Sequence, residues 1–589
     1  MLVTRFRDFW FMKLFGYKSE PYPVPSASVR DVFARVRSFF ISAAIFTAVI
    51  NLLALSGSIF MLQVYDRVLP SHSLETLLAL VVLVVGLYLA TSVLEHIRAK
   101  LFARIGRFVD LSLQGAVFNL DVSSGLPGRR ASVQAAPFKD LDQLRNFLSS
   151  GGPSALFDLP WIPLYVVALF LLHPCIGVLG LLGATFLVAT TMLADRKLAT
   201  QQKVSFSFTV EAGAQSFAAK QGAETVVAQG MRHNLTRLWS ASHERAGEAV
   251  IEASDTASFY RGVSRFFRNS LQSLVLGMGA YLVITGKATG GVMIASSILL
   301  GKALSPVEQA LFIWRGFVAS RDAYFRLDKT LPLATSSPDT RLPLPMTRIK
   351  VDGLAIGVPE RALPVLTDIH FELAAGDVLG ILGPSGVGKS SFVRTFVGLL
   401  KPMRGSIRFD GSLLSQWSEE DRSAFMGYLP QSVDLFDGTV AQNICRFDTS
   451  AASEKIVEAA QAAGVEDLIR SLPDGFDSQV GPRGDRLSAG ERQRIALARA
   501  FFSSPFVTVL DEPNSALDSD GERELVRAVD RIRARGGITI IIAHRSAILQ
   551  CATKLMMFGT GRQVVFGARD EVLSKVRDFM PQGFAGPVK

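Results

Sequence analysis

Residues 39–312 carry six mostly apolar stretches, several of them close to 20 residues long. No other feature limits the fold as strongly. A segment of about 20 apolar residues is long enough to cross a bilayer as a helix, and inside lipid the backbone has to satisfy its own hydrogen bonds. We place the stretches at about Phe39–Gln63, Leu77–Leu94, Leu159–Leu172, Ile176–Leu193, Phe267–Ile284 and Gly291–Phe312. The third is short and bounded by Pro160, Pro163 and Pro174, so its apolar start also fits Ala155–Phe157. With 49% hydrophobic residues over 589, the composition asks for membrane spans plus a soluble part rather than one water-soluble core.

The distribution of cations orients these spans. Arg30, Arg35 and Arg37 precede the first, and Arg98, Lys100, Arg104, Arg107, Arg129 and Arg130 follow the second. Arg196, Lys197 and Lys203 follow the fourth. The alternate connections hold only Arg67, no Lys or Arg at His173–Pro174, and Lys287. Positive residues stay inside, which puts both termini and the long loops in the cytoplasm. The net charge of +10 is thereby read as contact with an anionic lipid surface, not nucleic acid. The first 19 residues interleave Phe6, Phe9, Trp10 and Phe11 with Arg5, Arg7 and Lys13. They suit a helix lying on the cytoplasmic face of the bilayer, or equally a disordered leader, and do not form a secretory signal. A Pro-rich spacer, Glu20–Ser28, follows.

The long inner loops are patterned as helices at Val109–Phe118, Asp140–Phe147 and most of Ala212–Tyr260. Breaks near Phe138–Asp142 and Gly222–Met231 suit short transverse helices. Cys175, Cys445 and Cys551 match no metal spacing and read as small buried hydrophobes. Lys302 and Glu308 lie in or beside the sixth span, either as a polar lining or as snorkelling or paired charges, and Pro306 between them would kink the helix.

From about Leu342 short β-rich runs and Gly-rich turns take over. Gly383–Ser391, GPSGVGKSS, follows the apolar strand Val378–Leu382 and precedes the helical run Phe392–Leu400. That is the setting of a phosphate-binding loop. Gly383, Pro384, Ser385, Gly386, Val387, Gly388, Lys389, Ser390 and Ser391 form the cradle. Gly386 and Gly388 let backbone N–H groups close around phosphates, Lys389 reaches the terminal phosphates, and Ser390 offers its hydroxyl to Mg2+. Val507–Pro513, VTVLDEP, is a buried strand ending in two carboxylates. Asp511 is placed to hold Mg2+ and Glu512 to orient or deprotonate an attacking water.

Leu487–Arg494, LSAGERQR, lies between these motifs. With it the domain resembles the ATP-binding cassette (ABC) family, whose signature is usually LSGGQ; the motifs stand in that family's order. The resemblance implies that Gln431 senses the γ-phosphate, serves the metal with Ser390 and Asp511, and contacts the membrane domain. It makes Ser515–Asp518 a loop that crosses a dimer interface and His544 the switch histidine. It further implies that ATP is sandwiched between the phosphate loop of one subunit and Ser488 and Gly490 of the other, in a homodimer with two complete sites. Ala489 and Glu491 depart from the signature, and Val358 stands where an aromatic usually stacks on adenine, which implies weaker base stacking.

Val480–Gly484, VGPRG, resembles the exporter-specific loop. Phrases beginning at Phe60, Asp140 and Ile298, with DEPNSALD, resemble type I secretion permease/ATPases of the protease-exporter kind. The implied fold is an all-α six-helix transmembrane exporter domain fused to an α/β P-loop nucleotide-binding domain. Its bounds are a leader at 1–37, the membrane domain at 38–330, a linker at 331–347 and the ATP-binding domain at 348–589. The implied activity is ATP-driven export of unfolded protein, such as calcium-binding repeat proteins, from a bacterial inner membrane with a periplasmic adaptor and an outer-membrane channel. The competing expectation is an exporter of lipids or small molecules. The N-terminal region is too short for a cysteine-peptidase domain, so no leader cleavage in cis is expected.

Overall fold

The computed structural model describes residues 28–126, 137–333, 342–357, 363–543, 550–559 and 561–576. The chain divides into two compact units, 1–122 with 135–335, and 123–134 with 336–589.

The first unit is helical. Its helices are α1 (Val29–Arg35), α2 (Arg37–Leu53), α3 (Ser56–Gln63), α4 (Leu74–Ser124), α5 (Pro137–Ser149), α6 (Gly152–Asp158), α7 (Ile162–Leu172), α8 (Pro174–Gln221), α9 (Ala223–Ala228), α10 (Arg232–Ile284) and α11 (Gly290–Thr330). At 1.5 Å per residue, the 51 residues of α4 extend for about 77 Å. That is well over twice the hydrocarbon thickness of about 30 Å, so the spans continue as helices beyond the bilayer. The short helix expected near Gly222–Met231 is α9, set off by turns at Gly222 and Gln229. Phe138–Asp142, expected as a break, lies inside α5 instead. Leu141, Leu144 and Leu148 recur on one face of α5 and are buried there, and that periodic face keeps the helix running.

Among the described residues, five helical runs are long and apolar enough to cross a membrane: Arg37–Ser71, Leu74–Ser124, Gly152–Leu172, Pro174–Leu198 and Gly290–Trp314. The third thus begins in the Ala155–Phe157 region and passes Pro160 through a 3-10 turn at Leu159–Trp161. The expected fifth stretch, Phe267–Ile284, forms the C-terminal end of continuous helix α10 but is not among them. Arg268, Asn269, Gln272 and Ser273 dilute its first half. Two of these are matched by α11: Arg268 donates to Glu308 Oε2 at 2.9 Å, and Gln272 to Ser297 Oγ at 3.4 Å. Glu308 therefore pairs with Arg268 and not with Lys302, and α11 runs on through Pro306.

Beneath this helical shell lies a polar knot. Arg98 of α4 is buried and donates to Asp158 Oδ1 (2.8 Å) and Thr47 Oγ1 (3.1 Å). Asn51 donates to the same Asp158 oxygen (3.0 Å), and the Tyr165 hydroxyl donates to Asn51 Oδ1 (2.8 Å). Four helices are thus tied together by side chains that could not face lipid unpaired.

The second unit is a ten-stranded sheet in the order β5-β4-β1-β2-β10-β9-β3-β8-β7-β6. The strands that matter for the site are β3 (Val378–Leu382), β6 (Met426–Leu429), β7 (Val507–Asp511), β8 (Ile538–Ile542) and β9 (Lys554–Gly559). Every residue of β3, β7 and β8 is buried, as expected for central parallel strands covered on both faces. The remainder, β1 (Arg348–Gly357), β2 (Pro364–Ala374), β4 (Arg404–Phe409), β5 (Ser412–Leu413) and β10 (Arg562–Ala568), form the antiparallel wing and its junction. Cys445 and Cys551 are buried as expected, but Cys175 is exposed, because it starts α8 at the turn after His173.

Candidate nucleotide site

β9, β3, β8, β7 and β6 are parallel neighbours, so their C-terminal ends open on one edge. In open α/β sheets ligands bind outside such ends. The phosphate loop leaves β3, Asp511 and Glu512 end β7, and Gln431 stands exposed two residues past β6. β8 ends one residue before Ala543; His544 lies outside the described residues, as does Val358. Topology alone therefore gathers motifs that are more than 120 positions apart in sequence.

The loop from Gly383 to Gly388 works because three of its glycines take positive φ: +152° at Gly383, +78° at Gly386 and +107° at Gly388. Side chains rarely adopt this conformation. A Cβ at Gly383 would also fall 2.7 Å from the Phe558 carbonyl oxygen, whereas one at Gly386 would meet nothing within 4 Å. The loop is closed on the protein side and open toward its concavity. Helix α12 (Lys389–Phe396) begins directly after it with no side-chain cap, which leaves its first N–H groups available to an anion.

Lys389 is buried and donates from Nζ to the carbonyls of Gly383 (2.7 Å) and Pro384 (2.9 Å). It bridges its own loop, pre-forming the cradle. Burial lowers its pKa from the usual lysine range, and Glu512 and Asp511 oppose that shift. Asp511 is only 2% exposed. Burial, then the Glu512 charge, raises its pKa, while a hydrogen bond with Ser390 and the charges of Arg394 and Lys389 pull it down. Its Oδ1 is buried without a hydrogen-bond partner among the described residues. A carboxylate oxygen in that condition, beside a serine hydroxyl, is what a hard cation requires on its protein side. Glu512, the next residue, holds φ +52°, a conformation that is costly for a non-glycine residue and found mostly at functional sites. Its N–H donates to the Ile542 carbonyl at 3.0 Å, which locks the strand end.

The signature forms the start of α13 (Ala489–Phe501). Ser488 caps it, its Oγ accepting from Glu491 N (3.3 Å), while Glu491 Oε2 accepts from Ser488 N (2.7 Å). Glu491, noted above only as a departure from the signature, completes a capping box. Gln493 donates to the Pro513 carbonyl at 2.9 Å, and a Cβ at Gly490 would lie 3.1 Å from the Ala516 carbonyl oxygen. The signature helix is thus seated on the loop that leaves Glu512. Val480 N donates to the Gly438 carbonyl (2.9 Å), so the VGPRG loop lies against the segment following Gln431. Beside Gln431 a groove of about 340 Å³ is lined by Phe436, Phe447, Arg446 and Arg499 among others. Sequence reasoning missed it, because its walls come from three separate segments.

Two family models match this chain, an ABC transporter model over residues 366–515 and an ABC transporter transmembrane region over 40–305. The type I secretion system ATP-binding protein PrsD of Rhizobium meliloti is 43% identical over 553 residues, covering 94% of each chain. The chain belongs to the type I secretion permease/ATPase family of ABC exporters. The toxin RTX-I translocation ATP-binding protein of Actinobacillus pleuropneumoniae is 28% identical over 92% of this chain and 77% of its own. The alpha-hemolysin translocation ATP-binding protein HlyB of Escherichia coli is 27% identical over the same shares. A bacterial Atm1-family ABC exporter solved with ATP bound shares the fold with a TM-score of 0.81, covering 94% of this chain at 20% identity. The exporter is therefore a multi-pass membrane ATPase that binds ATP in its second unit.

Proposed function

We propose that this exporter is the inner-membrane ATPase of a type I secretion system. It acts as a homodimer with a periplasmic adaptor and an outer-membrane channel, and drives unfolded protein out of the cytoplasm, where its ATP-binding unit lies. The bilayer is crossed six times, the outer end of α10 supplying the crossing that hydropathy alone misses. We take its domains to be those expected from sequence: a leader at 1–37, the membrane domain at 38–330, a linker at 331–347 and the ATPase at 348–589.

One observation carries the chemistry: the buried, half-satisfied Asp511 beside Ser390 and Lys389, followed at once by Glu512 in a strained conformation. Gly383–Gly388 and the first N–H groups of α12 hold the phosphates. On nucleotide binding Lys389 exchanges its loop carbonyls for phosphate oxygens, a charge-assisted contact in place of two neutral ones. Ser390, Asp511 and Gln431 would hold Mg2+, which would supply charge neutralisation to the phosphates. Glu512 orients a water and takes its proton as the water oxygen bonds to the γ-phosphorus and the bond to the β–γ bridging oxygen breaks, leaving ADP and phosphate. His544 and Gln431 sense the γ-phosphate. Ser488 and Gly490 meet it from the partner subunit, and Ser488, already positioned by its cap, needs no rearrangement of its helix.

The test uses mixed dimers of Lys389→Ala and Ser488→Arg chains. In trans geometry one of the two composite sites combines both lesions and the other is intact, so mixed dimers regain a share of the ATPase that each homodimer loses. Equal inactivity in all three species would overturn the composite site. Export of repeat-protein cargo that persists without adaptor and channel would favour the lipid or small-molecule alternative.

A further inference from the structure

Lys302 lies twelve residues into α11, about 18 Å from its outer end and so near the midplane of a bilayer of ordinary thickness. It is exposed, and no ion pair to it is formed among the described residues. Gln309, two turns further on, is also exposed, and Ser305 lies between them, accepting a hydrogen bond from Gln309 (3.1 Å). Spacings of three and four residues put all three on one face of the helix. A bare cation and an amide at this depth do not face hydrocarbon; they line water or a polar partner.

The same face runs on to Phe312, Ile313 and Gly316, where it becomes one wall of a groove of about 430 Å³. The opposite wall is the polar side of α5, with Lys139, Asp142, Gln143 and Asn146. Phe147 lies across the floor, its ring within 3.6 Å of where a Gly316 Cβ would sit. Phe312 is 60% exposed, with the Arg261 guanidinium 5.9 Å over its ring. The groove and the stripe are continuous over fifteen residues of α11, Lys302 to Gly316, about 21 Å.

We propose that this surface is a track for an extended polypeptide, entered at the α5–α11 groove and followed outward past Gln309 to Lys302. The proposal rests on the protein-export reading and assigns its cargo-contacting residues. Three features select this occupant. Gln143, Asn146 and Gln309 each offer both a donor and an acceptor, which suits the backbone amides of any sequence. Phe147 and Phe312 give apolar side chains a surface without a closed, shape-selective pocket. Lys302 at the far end favours acidic stretches, since it has no carboxylate of its own to release.

The full-length exporter is reconstituted in lipid vesicles in a Cys175→Ser background, and Q143C, Q309C and K302C are labelled with a membrane-impermeant charged maleimide. V82C, on a 65%-exposed position of the second span, is the lipid-facing control. The three track positions are expected to react and V82C to stay inert. A reduced, carboxymethylated and hence permanently unfolded polypeptide at ten times its Kd should slow all three by about tenfold, with K302E shifting the effective concentration upward. An alkyl-trimethylammonium amphiphile should not protect them. Inert Q309C and K302C, in an exporter whose ATPase the polypeptide still stimulates, would mean that lipid or the second subunit covers the stripe, and would overturn the track alone. Protection by the amphiphile and not by the polypeptide, with no stimulation by the latter, would overturn the protein-export reading with it.

Discussion

The two units solve opposite solvation problems. In the ATPase unit the strands under the site, β3, β7 and β8, are wholly buried and apolar but for Thr508, Thr539 and the terminal Asp511, and polar chemistry gathers at their C-terminal ends. In the membrane unit Leu74, Leu171 and Ile284 are 80% or more exposed, while Arg98, Asp158, Asn51 and Thr47 are turned inward and bonded to one another. Burial follows the solvent: water rewards hiding carbon, and lipid rewards hiding nitrogen and oxygen. The same side chain therefore means different things in the two units. A buried carboxylate in the ATPase unit, Asp511, keeps an oxygen unpartnered for a ligand. A half-buried carboxylate in the membrane unit, Asp158, has its Oδ1 shared by Arg98 and Asn51.

The contrast breaks most visibly at Glu512. Glu512→Gln keeps the volume and removes the base, so ATPase turnover should fall by about 10²–10⁴-fold with nucleotide binding retained. Phosphate release measured beside nucleotide binding checks it, and near-native turnover would remove Glu512 from the mechanism. The membrane unit should answer the corresponding change with its fold and not its chemistry. Asp158→Ala strands Arg98 and Asn51, at a cost of about 3–5 kcal/mol. Thermal unfolding in detergent or nanodiscs should show this loss, and replacing Arg98 and Asp158 together by Met and Leu should recover much of it. Equal stability of the single and double variants would mean that the knot is not a unit.

A smaller effect sharpens the reading of Asp511. Its pKa is raised, so the folded site holds a proton above the ordinary carboxylate range. In the window between that range and the raised value, this proton adds to fold stability and is lost as pH rises. The same proton competes with the cation. Apparent Mg2+ affinity should weaken as pH falls through the window, by at most about tenfold per unit because one proton is displaced. Magnesium titrations of nucleotide binding between pH 5 and 8 test this, and Ser390→Ala should move the onset to higher pH, since it removes the bond that favours the ionised form. The smallest effect concerns the signature. Glu491→Ala should destabilise the ATPase unit by about 0.5–1 kcal/mol through loss of the capping box. Glu491→Gln, which keeps the acceptor, should change it by only a few tenths. Calorimetry of the two variants separates the cap from any role of the charge itself.

What could be read from sequence was what is local along the chain. Hydropathy sums over contiguous residues, so five of the six stretches correspond to helices able to span a membrane, although the second helix runs on from Leu94 to Ser124. The phosphate loop is nine residues with its strand before and its helix after, and both lie where the motif demands. Arg268–Glu308 and Asn51–Asp158 join positions 40 and 107 apart, and no pattern in the sequence announced either pair. Their pairing depends on how each helix is rotated against its neighbour, which hydropathy does not encode. The fifth stretch, read as a span from its sequence, falls short in hydropathy for that reason, its polar side being the one that meets α11. The convergence of Lys389, Ser390, Asp511 and Glu512 was likewise decided by the parallel order β3-β8-β7-β6, because only that order brings the ends of β3 and β7 to one edge, with a single strand between them. Residue types and spacing set which chemistry was available, and strand order with helix rotation set which groups could reach one another, since contact between distant segments is a property of packing and not of the chain.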